Sequence, residues 1–267
     1  LVGEPGTAKS RLSEHLAAAI SGSSELMIQG TAGTTEDQLK YSWNYALLLS
    51  KGPSDEAVVR SPLYRGMESG RLVRIEEVTR VLPEVQDALI SVLSEKSIAI
   101  PELGRTLHAA RGFNVIATAN TRDRGVNEMS SALRRRFNFV VLPVLRDLET
   151  EIAVVTRRVR ELQTEYDVRT EVPRDIVSTL TAVFQELRSG RTMDGRTKVR
   201  TPSSALSTAD LIGVLVNGAI LSSHFGSSKV TADDAARSLV GAVAQENAED
   251  LRLIREYVET VLPVRKD

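Results

Sequence analysis

Eight residues near the start of the chain, Gly3-Glu4-Pro5-Gly6-Thr7-Ala8-Lys9-Ser10, restrict its fold more than any other stretch. A helical pattern, Ser10–Ile20, follows them at once. A glycine-rich loop of this kind turns its backbone N–H groups inward. The helix N-terminus behind it adds positive potential, and together they cradle phosphate oxygens. Lys9 would reach the β- and γ-phosphates, and the Ser10 hydroxyl would ligate Mg²⁺. Such a loop follows a β-strand, yet only Leu1 and Val2 precede the glycines, so the chain reads as a fragment of a longer polypeptide. A plain Gly-rich turn capping a helix would use the same residues. The loop therefore needs support from farther along.

That support begins with the order of elements. Short apolar runs at Glu25–Gln29, Arg71–Ile75, Phe113–Ala119 and Asn138–Leu142 read as strands. Between them, helical patterns cover Glu36–Ser50, Pro83–Lys96 and Asn127–Arg136. Alternation of this kind predicts an α/β domain, a parallel sheet flanked by helices. From Asp147 onward the strands vanish, and helical periodicity returns in Asp147–Tyr166, Pro173–Arg188, Pro202–Phe225, Thr231–Gln245 and Asn247–Leu262. Ser189–Arg200, rich in Gly, Ser and basic residues, is the obvious loop of this half. The expected organisation is an α/β nucleotide-binding domain over 1–145 and a small all-helical domain over 146–267, with the boundary near Pro143–Asp147.

Three further stretches can carry chemistry. Leu72-Val73-Arg74-Ile75-Glu76-Glu77 is an apolar strand ending in two carboxylates. One acid, assigned to Glu76, can hold a metal ion, and the other, Glu77, can polarise an attacking water. An exposed acidic turn would look the same. Arg74 is out of place in a buried strand unless it meets an acid, and the sequence does not say which. Phe113–Asn120 is a second apolar strand, ending in a polar amide that could sit between a phosphate and a water; a turn asparagine is the plainer reading. In Ala132-Leu133-Arg134-Arg135-Arg136-Phe137, a basic cluster ends a helix. Favourable interaction with the helix dipole accounts for it, and so does an arginine finger aimed at a neighbouring subunit.

Composition narrows the alternatives. With no cysteine there are no disulfides and no thiolate sites, which fits a cytoplasmic protein. His15, His108 and His224 are too widely spaced to read as a metal site. A formal net charge of −1 gives none of the basic bias of a nucleic-acid binder. No apolar run reaches about 18 residues, so no membrane span is expected.

Taken in order, GEPGTAKS, SPLYRGMESGRLVRIEEVTRVLPEVQDALISVLSEK and NVIATANTRDRGVNEMSSALRRRF resemble the AAA+ superfamily of P-loop NTPases, in the MoxR-like and McrB-like group allied to dynein. The resemblance spans Leu1–Leu145, and the helical remainder matches the lid domain of that fold in type and length. It implies that ATP and Mg²⁺ are bound. The loop Gly3, Glu4, Pro5, Gly6, Thr7, Ala8, Lys9 and Ser10, with Arg11 beside it, would hold the nucleotide. Ser10 and Glu76 would face the metal. Glu77 would be the catalytic base, Asn120 the sensor 1 residue, and Arg136, with Arg135 second, the finger. Tyr41–Ser61 falls where this branch carries an insert, and Ser97–Arg111 where it carries a hairpin.

The same resemblance implies a homo-oligomer, a hexameric ring that remodels a partner protein of the kind MoxR-like proteins meet, among them proteins with a von Willebrand factor A domain. An McrB-like motor of a nuclease or defence complex is the alternative, and a nucleotide-binding scaffold with little hydrolysis is a third reading. Three positions depart from the pattern. Glu76 stands where Asp is usual, Ala8 replaces the third loop glycine, and Ala209 occupies the sensor 2 arginine's place, which Arg196 or Arg200 would have to fill.

Overall fold

The computed structural model describes residues 1–120, 127–202, 206–243 and 248–260. They form two compact units, Leu1–Pro143 and Val144–Asp267.

In the first unit, strands β1 (Val2–Gly3), β2 (Met27–Gln29), β5 (Leu72–Glu76), β8 (Asn114–Ala117), β9 (Ala119–Asn120) and β10 (Val141–Leu142) run parallel. They make two ladders, β2-β5-β8 and β10-β1-β9. β8 and β9 are successive halves of one run interrupted at Thr118, so a single stretch of chain bonds β5 with its first half and β1 with its second. Every residue of β5 is buried, as expected for an inner strand of a parallel sheet covered on both faces. Helices α1 (Lys9–Ser21) and α4 (Pro62–Ser69) pack on it. Helix α4 carries the signals that define it: the Ser61 hydroxyl accepts from the Tyr64 N–H, Pro62 opens the first turn, and Gly70 closes the helix in the left-handed conformation. Ile75, Met67, Leu89 and Leu133 are fully buried in the core beneath the sheet.

The helix expected over Glu36–Ser50 does not run through. It is cut into α2 (Glu36–Leu39) and α3 (Tyr45–Lys51) by β3 (Tyr41–Trp43), which pairs antiparallel with β4 (Val58–Arg60). The cause is aromatic: the Tyr41 ring meets Trp43 at 6.0 Å and Tyr64 at 6.4 Å, both edge-on. Burial in this small cluster outweighs the local helical period. A second hairpin, β6 (Ser97–Ile100) with β7 (Arg105–His108), lies within the expected Ser97–Arg111 segment. It adds Ile100 to the same cluster. The helix expected over Pro83–Lys96 breaks at Asp87 into α5 (Pro83–Gln86) and α6 (Ala88–Ser94). That over Asn127–Arg136 shortens to α7 (Ser131–Arg134), because Asn127 is tied by its N–H to the Thr79 carbonyl and by its side chain to that of Val81.

The second unit holds α8 (Leu148–Glu165), α9 (Arg174–Ser189), α10 (Thr208–His224), α11 (Ala232–Val243) and α12 (Ala248–Thr260) around a core that includes Phe184, Leu187, Leu211 and Leu215. A charged cluster is buried there. Glu151 is fully inaccessible and accepts from Arg188 Nη2 at 2.6 and 2.7 Å, Gln185 Nε2 at 2.7 Å and Thr208 Oγ1 at 2.7 Å. A buried carboxylate persists only when paired and hydrogen-bonded in this way. The helical expectations at 203–205, 244–245, 247 and 261–262 fall outside the described residues, as does the 121–126 part of the third motif.

Candidate nucleotide and metal site

Strand β1 delivers the chain into the glycine loop between two neighbours, with Gly3 in register with Asn120 on one side and Leu142 on the other. A Cβ on Gly3 would sit 2.6 Å from the Leu142 carbonyl oxygen, so only glycine fits. Gly6 turns with φ 74° and Ala8 with φ 59°. Ala8 holds a left-handed conformation that costs an L-residue about 1–2 kcal/mol. Ala8→Gly is therefore expected to raise stability by up to about 1 kcal/mol, after its greater unfolded-state freedom is set against the relieved strain. A higher denaturant midpoint at unchanged slope would show it.

Lys9 opens α1 with only 7% of its surface exposed. Its ammonium donates to the carbonyl oxygens of Gly3 at 3.2 Å and Glu4 at 2.7 Å and to Thr7 Oγ1 at 3.4 Å. These neutral acceptors hold the charge at the mouth of the loop. Triphosphate oxygens would be stronger partners for it.

One turn of helix away, the loop meets the end of β5. Glu76 is buried at 4% exposure, and its carboxylate collects donors on both oxygens. Ser10 Oγ at 2.8 Å and Thr118 Oγ1 at 2.6 Å donate to Oε2. Ser13 Oγ at 2.5 Å and Arg74 through Nη2 at 3.2 Å and Nε at 3.4 Å donate to Oε1. Burial pushes this carboxyl up, but the hydrogen bonds from Ser13, Thr118 and Ser10, with the charge of Arg74, outweigh it. The net effect holds Glu76 below the ordinary carboxylate range. The group is thus kept ionised beside the Ser10 hydroxyl.

Among the described residues no three His, Cys, Asp or Glu side chains cluster as metal ligands. A divalent cation at this place would have Ser10 Oγ and Glu76 Oε2 from the protein and the rest from phosphate and water. That sparse oxygen set fits Mg²⁺, which keeps several waters and shares substrate phosphates.

The next residue differs from its neighbour in every respect. Glu77 has φ 53°, its N–H donates to Thr118 Oγ1 at 3.0 Å, and its partly exposed side chain pairs with Arg80. A non-glycine residue in the left-handed region is strained, and such strain gathers at functional turns. The turn is fixed from the other side by Gly30, whose N–H donates 2.7 Å to the Glu76 carbonyl. A Cβ at Gly30 would lie 2.5 Å from the Glu77 carbonyl oxygen.

The structure brings Lys9, Ser10 and Glu76 together and places Asn120 beside Gly3. Arg11 lies apart, paired with Glu14 at 2.9 Å on the exposed face of α1. Arg135 donates to the Ser131 carbonyl at 3.2 Å, and Arg136 bonds Ser94 Oγ and, at 2.5 Å, the Ala132 carbonyl. Both are exposed on the surface of the first unit. Ser13, Thr118 and Gly30 join the site without having been singled out from sequence. The spacing of Ser13, three residues after Ser10 on one helix face, was the available signal.

Comparison with known proteins matches residues 1–137 to the AAA domain of the dynein-related subfamily and residues 149–267 to the YehL-like AAA+ ATPase C-terminal domain. The Escherichia coli protein YehL is 43% identical over 270 residues, a match that spans all of this chain and 74% of YehL. The chain belongs to the YehL-like, dynein-related AAA+ ATPases. A Giardia intestinalis midasin matches half of it at 31% identity, though that half corresponds to only 3% of midasin. Among solved structures, NtrX from Brucella abortus in complex with ATP aligns over 99% of the chain with TM-score 0.59 at 15% identity, which establishes the fold alone. The chain spans about half the length of the NtrX chains it matches, 48% and 56% for the ADP and ATP complexes. Family and fold together confirm the P-loop α/β domain with its helical partner.

Proposed function

We propose that the chain hydrolyses Mg-ATP within a homo-oligomeric ring and uses the cycle to remodel a partner protein. The observation that carries this reading is the Ser10–Glu76 hydrogen bond, which joins the glycine loop to the acid-bearing strand across 66 residues of sequence. A hydroxyl and an ionised carboxylate meet there at the edge of a phosphate cradle. Mg²⁺, when bound, would neutralise charge on the β- and γ-phosphate oxygens. Lys9 would add a positive charge from the loop. Glu77 would take a proton from water as its oxygen bonds the γ-phosphorus and ADP leaves, with Asn120 orienting that water. The resemblance to MoxR-like proteins supports protein remodelling with partners that include von Willebrand factor A domains, and the absence of cysteine supports work in the cytoplasm. Among the described residues no helix is long and apolar enough to cross a membrane.

Lys9→Ala tests the reading at its base. The variant removes a charge that bonds loop oxygens of Gly3, Glu4 and Thr7 and is expected to lose nucleotide affinity, with circular dichroism checking that it still folds. Calorimetric titration with ATP measures it, and unchanged affinity rejects the phosphate cradle.

A further inference from the structure

Glu76 and Arg74 sit two apart on β5, hence on one face of the strand. Ser10 and Ser13 sit three apart on α1, hence on one face of the helix. These two pairs enclose a single carboxylate. A carboxylate offers about four lone-pair directions, and here each oxygen already faces two protein residues. Ser13 and Arg74 hold Oε1, while Thr118 and Ser10 hold Oε2. Thr118 is itself fixed, because its oxygen accepts the Glu77 N–H and its proton is thereby aimed at Glu76. Arg74 is anchored at its far end, where Nη1 donates to the Ser24 carbonyl at 3.2 Å.

We infer that Arg74 is a positioning residue that confines Glu76 to one open acceptor direction, on Oε2, and so gives the site its preference for Mg²⁺ over Ca²⁺. The inference rests on the Mg-nucleotide reading above. When the Ser10 hydroxyl turns to a cation, the direction it vacates lies on Oε2, while Oε1 stays occupied by Ser13 and the guanidinium. A two-oxygen grip is closed off. Ca²⁺ takes six to eight oxygens and is commonly gripped by both oxygens of a carboxylate, whereas Mg²⁺ keeps its waters and accepts a single oxygen or a water-mediated contact. The arrangement also accounts for an arginine buried at 8% in a strand whose other residues, Glu76 apart, are Leu, Val and Ile. It explains why Glu serves in place of the shorter Asp as well. At the reach of the Glu side chain, Oε1 meets Arg74 while Oε2 meets Ser10.

The experiment titrates Mg²⁺ or Ca²⁺ into the full chain with adenylyl imidodiphosphate, a non-hydrolysable nucleotide, and reads nucleotide binding by calorimetry. The wild type is expected to need about tenfold or more Ca²⁺ than Mg²⁺ for half-saturation. Arg74→Met is expected to move that ratio toward one, within the 10- to 100-fold range typical for partners of metal-binding side chains. Ser13→Ala frees the same oxygen with less disturbance to the fold and is expected to shift the ratio in the same direction by less. It decides the matter should Arg74→Met fail to fold. A wild-type ratio retained by the folded variants overturns the inference and leaves Mg-nucleotide binding intact. Nucleotide binding by the wild type that ignores both cations overturns the Mg-nucleotide reading itself.

Discussion

Glu77→Gln is expected to bind ATP with wild-type affinity and to release phosphate about 10²–10⁴-fold more slowly, the usual loss when a general base is removed. The amide keeps the size and reach of the carboxylate but cannot accept a proton. Little else should change, because the contact that fixes the turn is the Glu77 backbone N–H on Thr118, which the substitution leaves alone. The lost side-chain pair with Arg80 is half-exposed, and pairs of that kind contribute about 0–1 kcal/mol. Steady-state phosphate release beside a binding isotherm separates the two effects, and wild-type turnover would place the base elsewhere. Glu76→Gln is a different experiment despite the adjacent position. There the amide nitrogen would face donors from Ser13, Arg74, Thr118 or Ser10, and a buried guanidinium would lose its counter-charge. That variant should lose stability before any metal or nucleotide is added. Burial sets the two acids in different surroundings, Glu76 enclosed by donors and Glu77 partly exposed.

The glycine loop was legible because its chemistry is local. Gly3, Gly6, Lys9 and Ser10 lie within eight residues, where backbone sterics and the needs of a phosphate cradle would fix the position of each. The strand ending in Glu76 and Glu77 was legible as an apolar run cut off by charge, and helices α8 to α12 of the second unit by their 3.6-residue period. Contacts made across long sequence separations were not. Thr118 reaches Glu76 over 42 residues and Ser13 over 63, and each reads as an ordinary polar interruption of a strand or helix. Arg74 could be seen to need an acid, but only the pleat of β5 shows that the acid is Glu76. The β3–β4 hairpin was legible only as an insert over Tyr41–Ser61, because Tyr41 and Trp43 fit the helical pattern around them, and their packing on Tyr64 is a tertiary fact.

In a ring assembled from one kind of subunit, Arg136→Ala is expected to bind ATP normally and hydrolyse it about 10³–10⁵-fold more slowly, the range known for arginine fingers. Arg136 is exposed just past the end of α7, where it bonds Ser94 and Ala132 instead of the glycine loop or Glu76. Those bonds are made by a side chain at the surface, free to exchange them for a phosphate presented by another copy. A guanidinium delivered there would neutralise charge that develops on the γ-phosphate oxygens during transfer, and its rigid fork suits that geometry better than an ammonium would. Activity should accordingly depend on assembly, and specific activity should fall on dilution below the association range. Subunits carrying Lys9→Ala keep the arginine but lack the cradle, while Arg136→Ala subunits keep the cradle but lack the arginine. Mixed, the two inactive variants are expected to regain hydrolysis at the interfaces where an intact cradle meets an intact arginine. Arg135→Ala, one residue earlier and bonded to its own helix through Ser131, should lose much less. Recovery absent on mixing, together with specific activity indifferent to dilution, would reduce both arginines to surface charges at a helix end and remove the ring from the mechanism.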